Sequence, residues 1–317
     1  MLSRLEIYGL YGLYNYKLDF SKEEDSWLKI ITGPNGYGKT TILQFIYALF
    51  CKDFAVFMRI PFTRVVFIID DDILQINQTR ATAQVDPESD LPGEQTVKIS
   101  FEQIDDMTGK VILLQEFEEG NKEDDINGQL RLLLGSMKCF FLTDERVLLR
   151  KTETENKEHN ANEDSSMERI AKNVAAIKKN NDKDQRIALL EELVYYFKFA
   201  DKDMIVDGTF GIRFRIRNSS KTLIPITSLS SGERHVLLQL YELIFDGKSG
   251  DLVMIDEPEL SFHPAWLNVY VSVLSKIQAF KREEGRNMQI ILATHSSMLI
   301  GGRWDETLDL YTLRNNG

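Results

Sequence analysis

The sequence predicts an α/β fold with a parallel-sheet core, an antiparallel β subdomain and a helical or mobile insertion. Three observations predict it. A short apolar segment at 27–32 runs directly into a glycine-rich loop, which an apolar helix follows. Two more apolar segments, within 251–259 and 289–296, end in polar side chains, as buried parallel strands often do where they leave a sheet. Between the first segment and these two, several stretches alternate with a period of two residues, which indicates antiparallel hairpins with one solvated face.

The composition is typical of a globular protein without a membrane segment. The chain has 317 residues, of which 43% are hydrophobic and 27% charged, and its formal net charge is −11. That charge disfavours binding of nucleic acid unless a local basic patch is present. Cys51 and Cys139 show no metal or redox spacing, and Lys52 with Asp53 interrupts the most apolar stretch. We therefore expect a cytoplasmic protein with two unpaired thiols and no membrane partner.

The remaining elements are predicted in chain order. Residues 2–20 alternate as a pair of short strands does, with glycines turning between them. Further strand-like segments, separated by Asp, Gly and Pro clusters, lie at 64–70, 73–77, 96–104 and 111–117. The acidic stretch 116–128 indicates a solvated loop. Residues 151–186 contain few apolar side chains, so we expect a mobile or helical insertion outside the core. The α/β pattern resumes near Val206.

A phosphate-binding loop is the most specific motif. The stretch GPNGYGKT satisfies G-x-x-x-x-G-K-[ST] between a strand and a helix. Backbone N–H groups of such a loop converge on phosphate oxygens, and the helix N-terminus adds partial positive charge. Lys39 is expected to reach the β- and γ-phosphates, and the Thr40 hydroxyl to ligate Mg²⁺. The predicted nucleotide-binding residues here are Gly33, Pro34, Asn35, Gly36, Tyr37, Gly38, Lys39, Thr40 and Thr41.

Two strand ends supply the candidate catalytic groups. The segment DLVMIDEPE delivers Asp256 and Glu257 side by side at the end of an apolar strand. Asp256 is expected to hold Mg²⁺, and Glu257 to orient and deprotonate the attacking water. A second apolar strand ends at His295, whose imidazole is placed to hydrogen-bond the γ-phosphate or that water. A histidine at a strand end is by itself more often structural.

A second phosphate-binding device lies almost two hundred residues after the first, in the stretch SLSSGERHVL. Its S-x-x-E pattern from Ser230 to Glu233 is a capping box that fixes the start of a helix. The N–H groups at that start and the Ser230 hydroxyl are suited to a γ-phosphate. Taken alone, the stretch is equally an ordinary capped helix. The predicted nucleotide-binding residues here are Ser230, Ser231, Gly232 and Glu233.

In this order the four motifs resemble those of the ABC-type ATPase family. The resemblance covers residues 1–50 and 205–317 well and the middle poorly. It implies an ABC-type ATPase head in three parts. An N-terminal lobe at 1–150 carries the phosphate loop and the β subdomain, an insertion spans 151–204, and a C-terminal lobe at 205–317 carries the other motifs.

The resemblance also implies a homodimer that binds ATP and Mg²⁺. In this family two chains pack head to tail, and the signature loop of one, here 229–233, closes over the ATP held by the phosphate loop of the other. His295 takes the place of the switch histidine. ADP lacks the γ-phosphate that bridges the chains, so hydrolysis is expected to weaken the dimer. The protein would then act as a clamp or switch.

The segment EPELSFHP and the long interval between the motifs are more similar to the soluble branch than to transporter ATPases, which carry an S-A-L-D type loop. That branch includes DNA-repair and SMC-like ATPases, OLD-family ATPases and antiphage ATPases of the Septu and PARIS type. The insertion is too short for an SMC coiled coil, and we expect no Toprim nuclease after His295. Effector activity, as nuclease or toxin, is therefore expected in a separate polypeptide.

Three functions stay open at this point: an ATP-gated sensor in antiphage defence or DNA maintenance, a DNA-clamping repair ATPase, and a transporter ATPase subunit. The motif spacing disfavours the transporter. DNA contact would involve Arg213, Arg215 and Arg217, which alternate along one strand and are equally a solvated sheet face.

Two parts of the nucleotide site have several candidates. The γ-phosphate lid is either the strand end at 144–146 or another element, since a plain exit from strand to loop explains the segment as well. The adenine-stacking residue is open among Tyr11, Tyr14 and Tyr16, each of which is also a candidate for core packing.

Overall fold

The structure is a computed structural model of the chain. It describes residues 1–21, 27–82, 95–118, 128–134, 139–142, 148–149, 163–199, 201–217, 222–246, 251–260 and 262–314. The strands within these ranges are β1 (Leu2–Leu10), β2 (Tyr14–Asp19), β3 (Leu28–Thr32), β4 (Arg64–Ile69), β5 (Asp72–Thr82), β6 (Gln95–Ile104), β7 (Val111–Glu118), β8 (Cys139–Leu142), β9 (Leu148–Leu149), β10 (Lys202–Asp207), β11 (Gly211–Ile216), β12 (Leu223–Pro225), β13 (Asp251–Asp256), β14 (Met288–Ala293) and β15 (Thr307–Asp309).

The α-helices within the described ranges are between 4 and 20 residues long. They are α1 (Lys39–Phe50), α2 (Ala55–Arg59), α3 (Gly128–Leu134), α4 (Glu163–Asn180), α5 (Gln185–Phe197), α6 (Ser231–Tyr241), α7 (Pro264–Glu283), α8 (Ser297–Ile300) and α9 (Leu310–Leu313). A π-helical segment, Glu242–Asp246, continues α6. Within the described ranges, no helix is both long enough and apolar enough to cross a membrane.

A parallel sheet forms the centre of the molecule, in the order β15-β3-β14-β13-β8, with β9 antiparallel at the β8 edge. Its middle strands β3 and β14 are buried along their whole length and mostly apolar, because helices or strands cover both faces. Along β13, Leu252 and Met254 face one hydrophobic cluster, whereas Val253 and Ile255 face the other. The predicted α/β class with a parallel core is confirmed.

The β subdomain is an antiparallel sheet in the order β2-β1-β4-β5-β6-β7, as the alternating segments predict. It packs with α1 and α2 on one side of the parallel sheet. A buried amide also joins the two sheets. The side chain of Gln289 on β14 accepts a hydrogen bond from the Leu2 N–H at 3.1 Å and donates one to the Leu2 carbonyl at 2.7 Å.

The other side of the parallel sheet is covered by α4, α5, α6 and α7. The expected helical character of 151–186 is confirmed by α4, but the expected position outside the core is wrong for one face of that helix. Met167, Ile170 and Val174 of α4 are buried in this second cluster, as is Ile187 at the start of α5. The apolar residues are few, but helical spacing puts them on one face, which a count of composition does not detect. Residues 151–162 lie outside the described ranges, and the three-part division stays a prediction.

The start of α5 gives a stability prediction. The Asp184 side chain caps the helix by accepting from the Arg186 N–H at 2.9 Å, and the Arg186 guanidinium also bonds to it. These hydrogen bonds hold the pKa of Asp184 below its usual value. We expect Asp184→Ala to lower the free energy of unfolding at pH 7 by about 1 kcal/mol. Because the folded-state pKa is the lower one, this contribution disappears as the pH falls through it.

Urea unfolding of the wild type and the variant at pH 7 and at low pH measures this effect. Asp106→Ala is the matched control, because Asp106 is exposed in the turn between β6 and β7, and a change within about 0.5 kcal/mol is expected. Equal destabilisation by the two substitutions would contradict the capping role of Asp184.

Candidate active site

The predicted catalytic and nucleotide-binding motifs meet at the carboxyl edge of the parallel sheet. β3, β14 and β13 are adjacent, and each ends in one of the motifs: the phosphate loop, His295 and the Asp256–Glu257 pair. The edge where parallel strands end is the usual place for a ligand in an open α/β sheet. Three motifs that are far apart in the sequence therefore form one site.

The phosphate loop has the backbone that a phosphate cradle requires. Gly38 is the N-cap of α1 with φ 87°, and a Cβ placed there would lie 3.0 Å from Leu10 Cδ2. Gly36 has φ 84°, and a Cβ at that position would meet no atom within 4 Å. Left-handed backbone at both positions favours glycine, and the open space beside Gly36 leaves room for a ligand. The loop fits a nucleotide phosphate.

The residues of the phosphate loop differ in exposure: some form a surface open to a ligand, and others are buried beneath it. Thr40 is exposed with Pro34, Asn35 and Gly36, whereas Lys39 and Thr41 are buried and Gly33, Tyr37 and Gly38 are half-buried. The Lys39 ammonium donates to the Gly33 carbonyl at 3.0 Å and to the Pro34 carbonyl at 3.4 Å. Its nitrogen also lies 3.6 Å from Glu257 Oε1. The lysine is thus directed into the loop and toward the acidic strand.

Asp256 and Glu257 occupy different environments although they are neighbours. Asp256 ends β13 and is 8% exposed. Glu257 follows it with φ 43°, a left-handed conformation that costs energy in a residue with a side chain. The Glu257 N–H is bonded to the Ala293 carbonyl at 2.9 Å, which joins the ends of β13 and β14. This backbone directs the Glu257 carboxylate to Lys39 and His295.

His295 lies between two carboxylates. Its Nδ1 is 3.6 Å from Glu257 Oε1 and 3.1 Å from Glu259 Oε1. The imidazole is 44% exposed, so its other side faces solvent at the sheet edge. Lys39, Glu257 and His295 therefore form a continuous line of charged or polar groups, each within 4 Å of the next.

Glu259 is a residue that the motif analysis missed. Its Oε1 accepts from the Thr294 hydroxyl at 2.6 Å and from the His295 backbone N–H at 2.9 Å. The short helical turn Pro258–Leu260 holds the side chain in this position. The spacing E-x-E directly after the acidic strand was the available signal, but only the adjacency of β13 and β14 shows what the second glutamate contacts.

The structure also bears on the expected Mg²⁺. Among the described residues, no three His, Cys, Asp or Glu side chains cluster closely enough to hold a metal by themselves. Magnesium generally takes one or two protein oxygens and completes its shell with water and phosphate oxygens. Thr40 at the start of α1 and Asp256 at the end of β13 are the residues that would hold it.

The family described as "AAA domain, putative AbiEii toxin, Type IV TA system" matches residues 30–301. The chain belongs to this family. The matched range contains the phosphate loop, the capped loop before α6, the acidic strand and His295, as well as the middle that the motif comparison covered poorly. An AAA domain of this kind is a nucleotide-binding P-loop ATPase domain. No curated protein matches the chain.

In this AAA domain the loop before α6 has the predicted capping box. Ser230 is the N-cap of α6, with reciprocal bonds between its side chain and backbone and those of Glu233. Glu233 is buried, and Lys202 bonds both of its carboxylate oxygens at 2.8 Å. The Glu233 carboxylate therefore supports the loop from within, while Ser230 and Ser231 are exposed and Gly232 is half-buried.

A pocket of about 590 Å³ adjoins this loop. Ser230 and Gly232 line one side of it, and Trp266 and His263 at the start of α7 line another. The phosphate loop is not part of its lining. The AAA domain therefore presents the start of α6 to an open cavity and not to its own nucleotide loop.

Tyrosines surround the phosphate loop, and the structure separates their roles. Tyr16 is fully buried and its hydroxyl donates to the Tyr37 carbonyl at 2.8 Å, so it is a core residue. Tyr14 stacks on Tyr16 and on Tyr37. Tyr11 is exposed, and its hydroxyl lies 2.9 Å from Thr41 Oγ1. Of the three candidates for stacking on adenine, Tyr11 is the most exposed, and the assignment stays a prediction.

Residues near the carboxyl terminus also lie beside the phosphate loop, and no motif in the sequence predicts them. Tyr311 packs against Tyr37, and the Arg314 guanidinium lies over the Tyr311 ring and donates to the Tyr37 hydroxyl at 2.9 Å. The candidate lid at 144–146 lies outside the described residues.

The arginine stripe of β11 is partly neutralised. Arg213 and Arg215 are exposed, but Arg215 lies opposite Asp203 on β10, and Arg217 bonds that aspartate at 2.8 Å. Acidic side chains among the arginines lower the local positive potential that binding to phosphates requires. This arrangement favours the solvated sheet face over a nucleic-acid surface.

Proposed function

We propose that this chain is a dimeric switch that binds ATP with Mg²⁺ and hydrolyses it to ADP and phosphate. The observation that carries the proposal is the line Lys39, Glu257 and His295 at the carboxyl edge of the sheet, with 3.6 Å between successive groups. This line supports the proposal because a cation suited to phosphates, a carboxylate suited to a water proton and an imidazole suited to the γ-phosphate each lie within 4 Å of the next group.

Each residue has one role in the proposed reaction. The phosphate-loop N–H groups and Lys39 bind the β- and γ-phosphates and hold them in place. Glu257 accepts a proton from the attacking water, and His295 donates a hydrogen bond to the γ-phosphate or orients that water. Magnesium, held beside Thr40 and Asp256, would neutralise part of the phosphate charge.

The contact between Lys39 and Glu257 supports a coupling between binding and catalysis. Both groups are charged and largely withdrawn from solvent, so their 3.6 Å separation is a favourable interaction. A triphosphate that binds Lys39 competes for the same ammonium. The Glu257 carboxylate is then released from Lys39, and the base becomes available to the attacking water when substrate is present.

The proposed dimer is supported by the position of the loop before α6. Ser230 and Ser231 are exposed, the helix start is fixed by the capping box, and the adjoining pocket is open. A helix N-terminus held rigidly at the surface binds an anion without further ordering. The ATP of a second chain is such an anion, so two chains packed head to tail would each complete the other's site.

The wider role is proposed as control of a separate effector, a nuclease or toxin, in antiphage defence or DNA maintenance. The description of the matched family names a toxin of a type IV toxin–antitoxin system, which favours a system of two polypeptides. Direct clamping of DNA is the alternative, and Asp203, which lies opposite Arg215 and bonds Arg217, argues against it.

Loss of the phosphate-loop lysine tests the nucleotide site. We expect Lys39→Ala to weaken ATP binding by about 1.5–3 kcal/mol, or about 10- to 100-fold in Kd, because a charge-assisted contact to the phosphates is removed. Calorimetry with ATP and Mg²⁺ measures the change. Lys172→Ala is the matched control, since Lys172 is 80% exposed on α4, and its Kd should equal that of the wild type. Unchanged affinity in Lys39→Ala would mean that ATP binds elsewhere.

A further inference from the structure

Glu259 is the acidic residue at the catalytic edge that has no role in the proposed reaction. Its carboxylate oxygen Oε1 receives the Thr294 hydroxyl and the His295 N–H, and lies 3.1 Å from His295 Nδ1. All three groups belong to the two residues that follow β14. A side chain attached after β13 thus fixes the end of the neighbouring strand.

Burial of the Glu259 carboxylate has a cost in folding free energy. The Glu259 side chain is 6% exposed, and its Oε2 is buried without a hydrogen bond to any residue that the structure describes. Withdrawing an ionised carboxylate from water is unfavourable unless other charges or donors compensate it. The amide oxygen of a glutamine would accept the hydrogen bonds from the Thr294 hydroxyl and the His295 backbone N–H equally well, and its burial would cost less free energy. The negative charge therefore indicates a function beyond holding the backbone.

We propose that Glu259 is a positioning residue that sets the tautomer and orientation of His295. This inference rests on the proposed function, because it assigns a role to His295 in ATP hydrolysis. Two carboxylates, Glu259 and Glu257, approach the Nδ1 side of the ring at 3.1 and 3.6 Å. A carboxylate accepts hydrogen bonds and repels a nitrogen lone pair, so it favours the tautomer with the proton on Nδ1.

The tautomer of His295 determines which ring nitrogen can accept a hydrogen bond from a ligand. In a neutral imidazole with the proton on Nδ1, the lone pair is on Nε2 at the opposite side. His295 is 44% exposed, so that side is open to a ligand at the sheet edge. Nε2 is then held ready to accept a hydrogen bond from the attacking water, or to donate one to phosphate when the ring is protonated. Without the Glu259 contact, the ring could flip and present either nitrogen to the ligand.

The experiment compares Glu259→Gln with the wild type by two measurements. Glutamine keeps the length and the acceptor oxygen for Thr294 but removes the charge. With ¹⁵N-labelled histidine, the ring nitrogen shifts report the tautomer, and the sequence has only four histidines, so His295→Gln identifies the signal. Spectra are recorded at a pH of about 9, where an imidazole is ordinarily neutral.

We expect His295 in the wild type to carry its proton on Nδ1, and the Nε2–H form to increase in Glu259→Gln. We expect kcat for ATP to fall about 10- to 100-fold with little change in the Kd for ATP, since Glu259 does not touch the phosphate loop residues that bind it. Glu283→Gln, an exposed change at the end of α7, should alter neither quantity. Combining Glu259→Gln with His295→Gln should cost no more than His295→Gln alone.

Three results would overturn the role of Glu259: an unchanged tautomer in Glu259→Gln, an unchanged kcat, or losses that add in the double variant. A fall in kcat that is matched by a fall in ATP affinity, with the same tautomer, would show a structural role only. Failure of the proposed function is a different result, namely a wild-type protein that does not hydrolyse ATP. The tautomer measurement uses the protein without nucleotide and decides the positioning of His295 even then.

Discussion

Glu257→Gln is expected to lower the turnover of ATP by about 10²- to 10⁴-fold while ATP binding is retained. The amide cannot accept the proton of the attacking water, but it keeps the size of the side chain. The substitution also removes the carboxylate charge that lies 3.6 Å from the Lys39 ammonium. Affinity for ATP should therefore stay equal to that of the wild type or increase, because the phosphates no longer compete with a carboxylate for Lys39.

Release of phosphate under saturating ATP measures turnover, and calorimetry measures binding. Glu283→Gln is the matched control and should retain wild-type kcat, because its side chain is exposed at the carboxyl end of α7. Turnover of Glu257→Gln at the wild-type rate would show that another group deprotonates the water. Loss of binding together with turnover would show that Glu257 supports the fold of the site.

Ser230→Arg is expected to abolish ATP-dependent dimerisation, measured in the Glu257→Gln background so that ATP persists. The serine is exposed at the start of α6, where the proposed partner's γ-phosphate is to lie. A long side chain there prevents close approach of two chains. One ATP per monomer should still bind with the affinity of the parent protein, because the phosphate loop of each chain is unchanged. Ultracentrifugation with and without ATP gives the outcome.

Two further variants distinguish the effect of a bulky side chain at position 230 from the effect of losing the N-cap of α6. Ser230→Ala removes the N-cap bond, at a cost of about 1 kcal/mol in stability, but adds no bulk, so dimers should form with reduced affinity. Thr209→Arg places the same bulk in the exposed turn between β10 and β11 and should leave dimerisation intact. Stable dimers of Ser230→Arg would remove the basis for a head-to-tail assembly.

Mixing Ser230→Arg with Lys39→Ala chains, without Glu257→Gln, tests the assembly in a second way. A mixed dimer carries the arginine at one of its two sites only, and its other site has both halves intact. Activity restored by mixing would show that the two loops act across chains.

Local patterns in the sequence were sufficient to predict the central strands of the parallel sheet and the local structure of the motifs. The strand, loop and helix around Lys39, the acidic strand end at Asp256 and the capping box at Ser230 each form as predicted, because each depends on residues a few positions apart. Backbone conformation, capping and periodicity are local properties, so a single sequence carries them.

What the sequence did not predict depends on distant contacts. The apolar residues of α4 recur at helical spacing in a segment that is polar on average, but the elements that they cover, β11 and α6, are set by the tertiary structure. Glu259 acquires its contacts because β13 and β14 are neighbours in the sheet. The Tyr37, Tyr311 and Arg314 cluster joins residues almost three hundred positions apart. None of these pairings leaves a periodic signal.

The hydrogen bonds between Gln289 and Leu2 bear on how the molecule unfolds. They join the first strand of the antiparallel sheet to a central strand of the parallel one, and Gln289 is 1% exposed. Detaching either sheet would replace these two hydrogen bonds by bonds to water, at a net cost of about 0.5–1.5 kcal/mol for each bond. The two sheets also share one hydrophobic cluster. We therefore expect them to melt cooperatively, with coincident transitions from probes in either sheet and no intermediate in which one sheet persists alone.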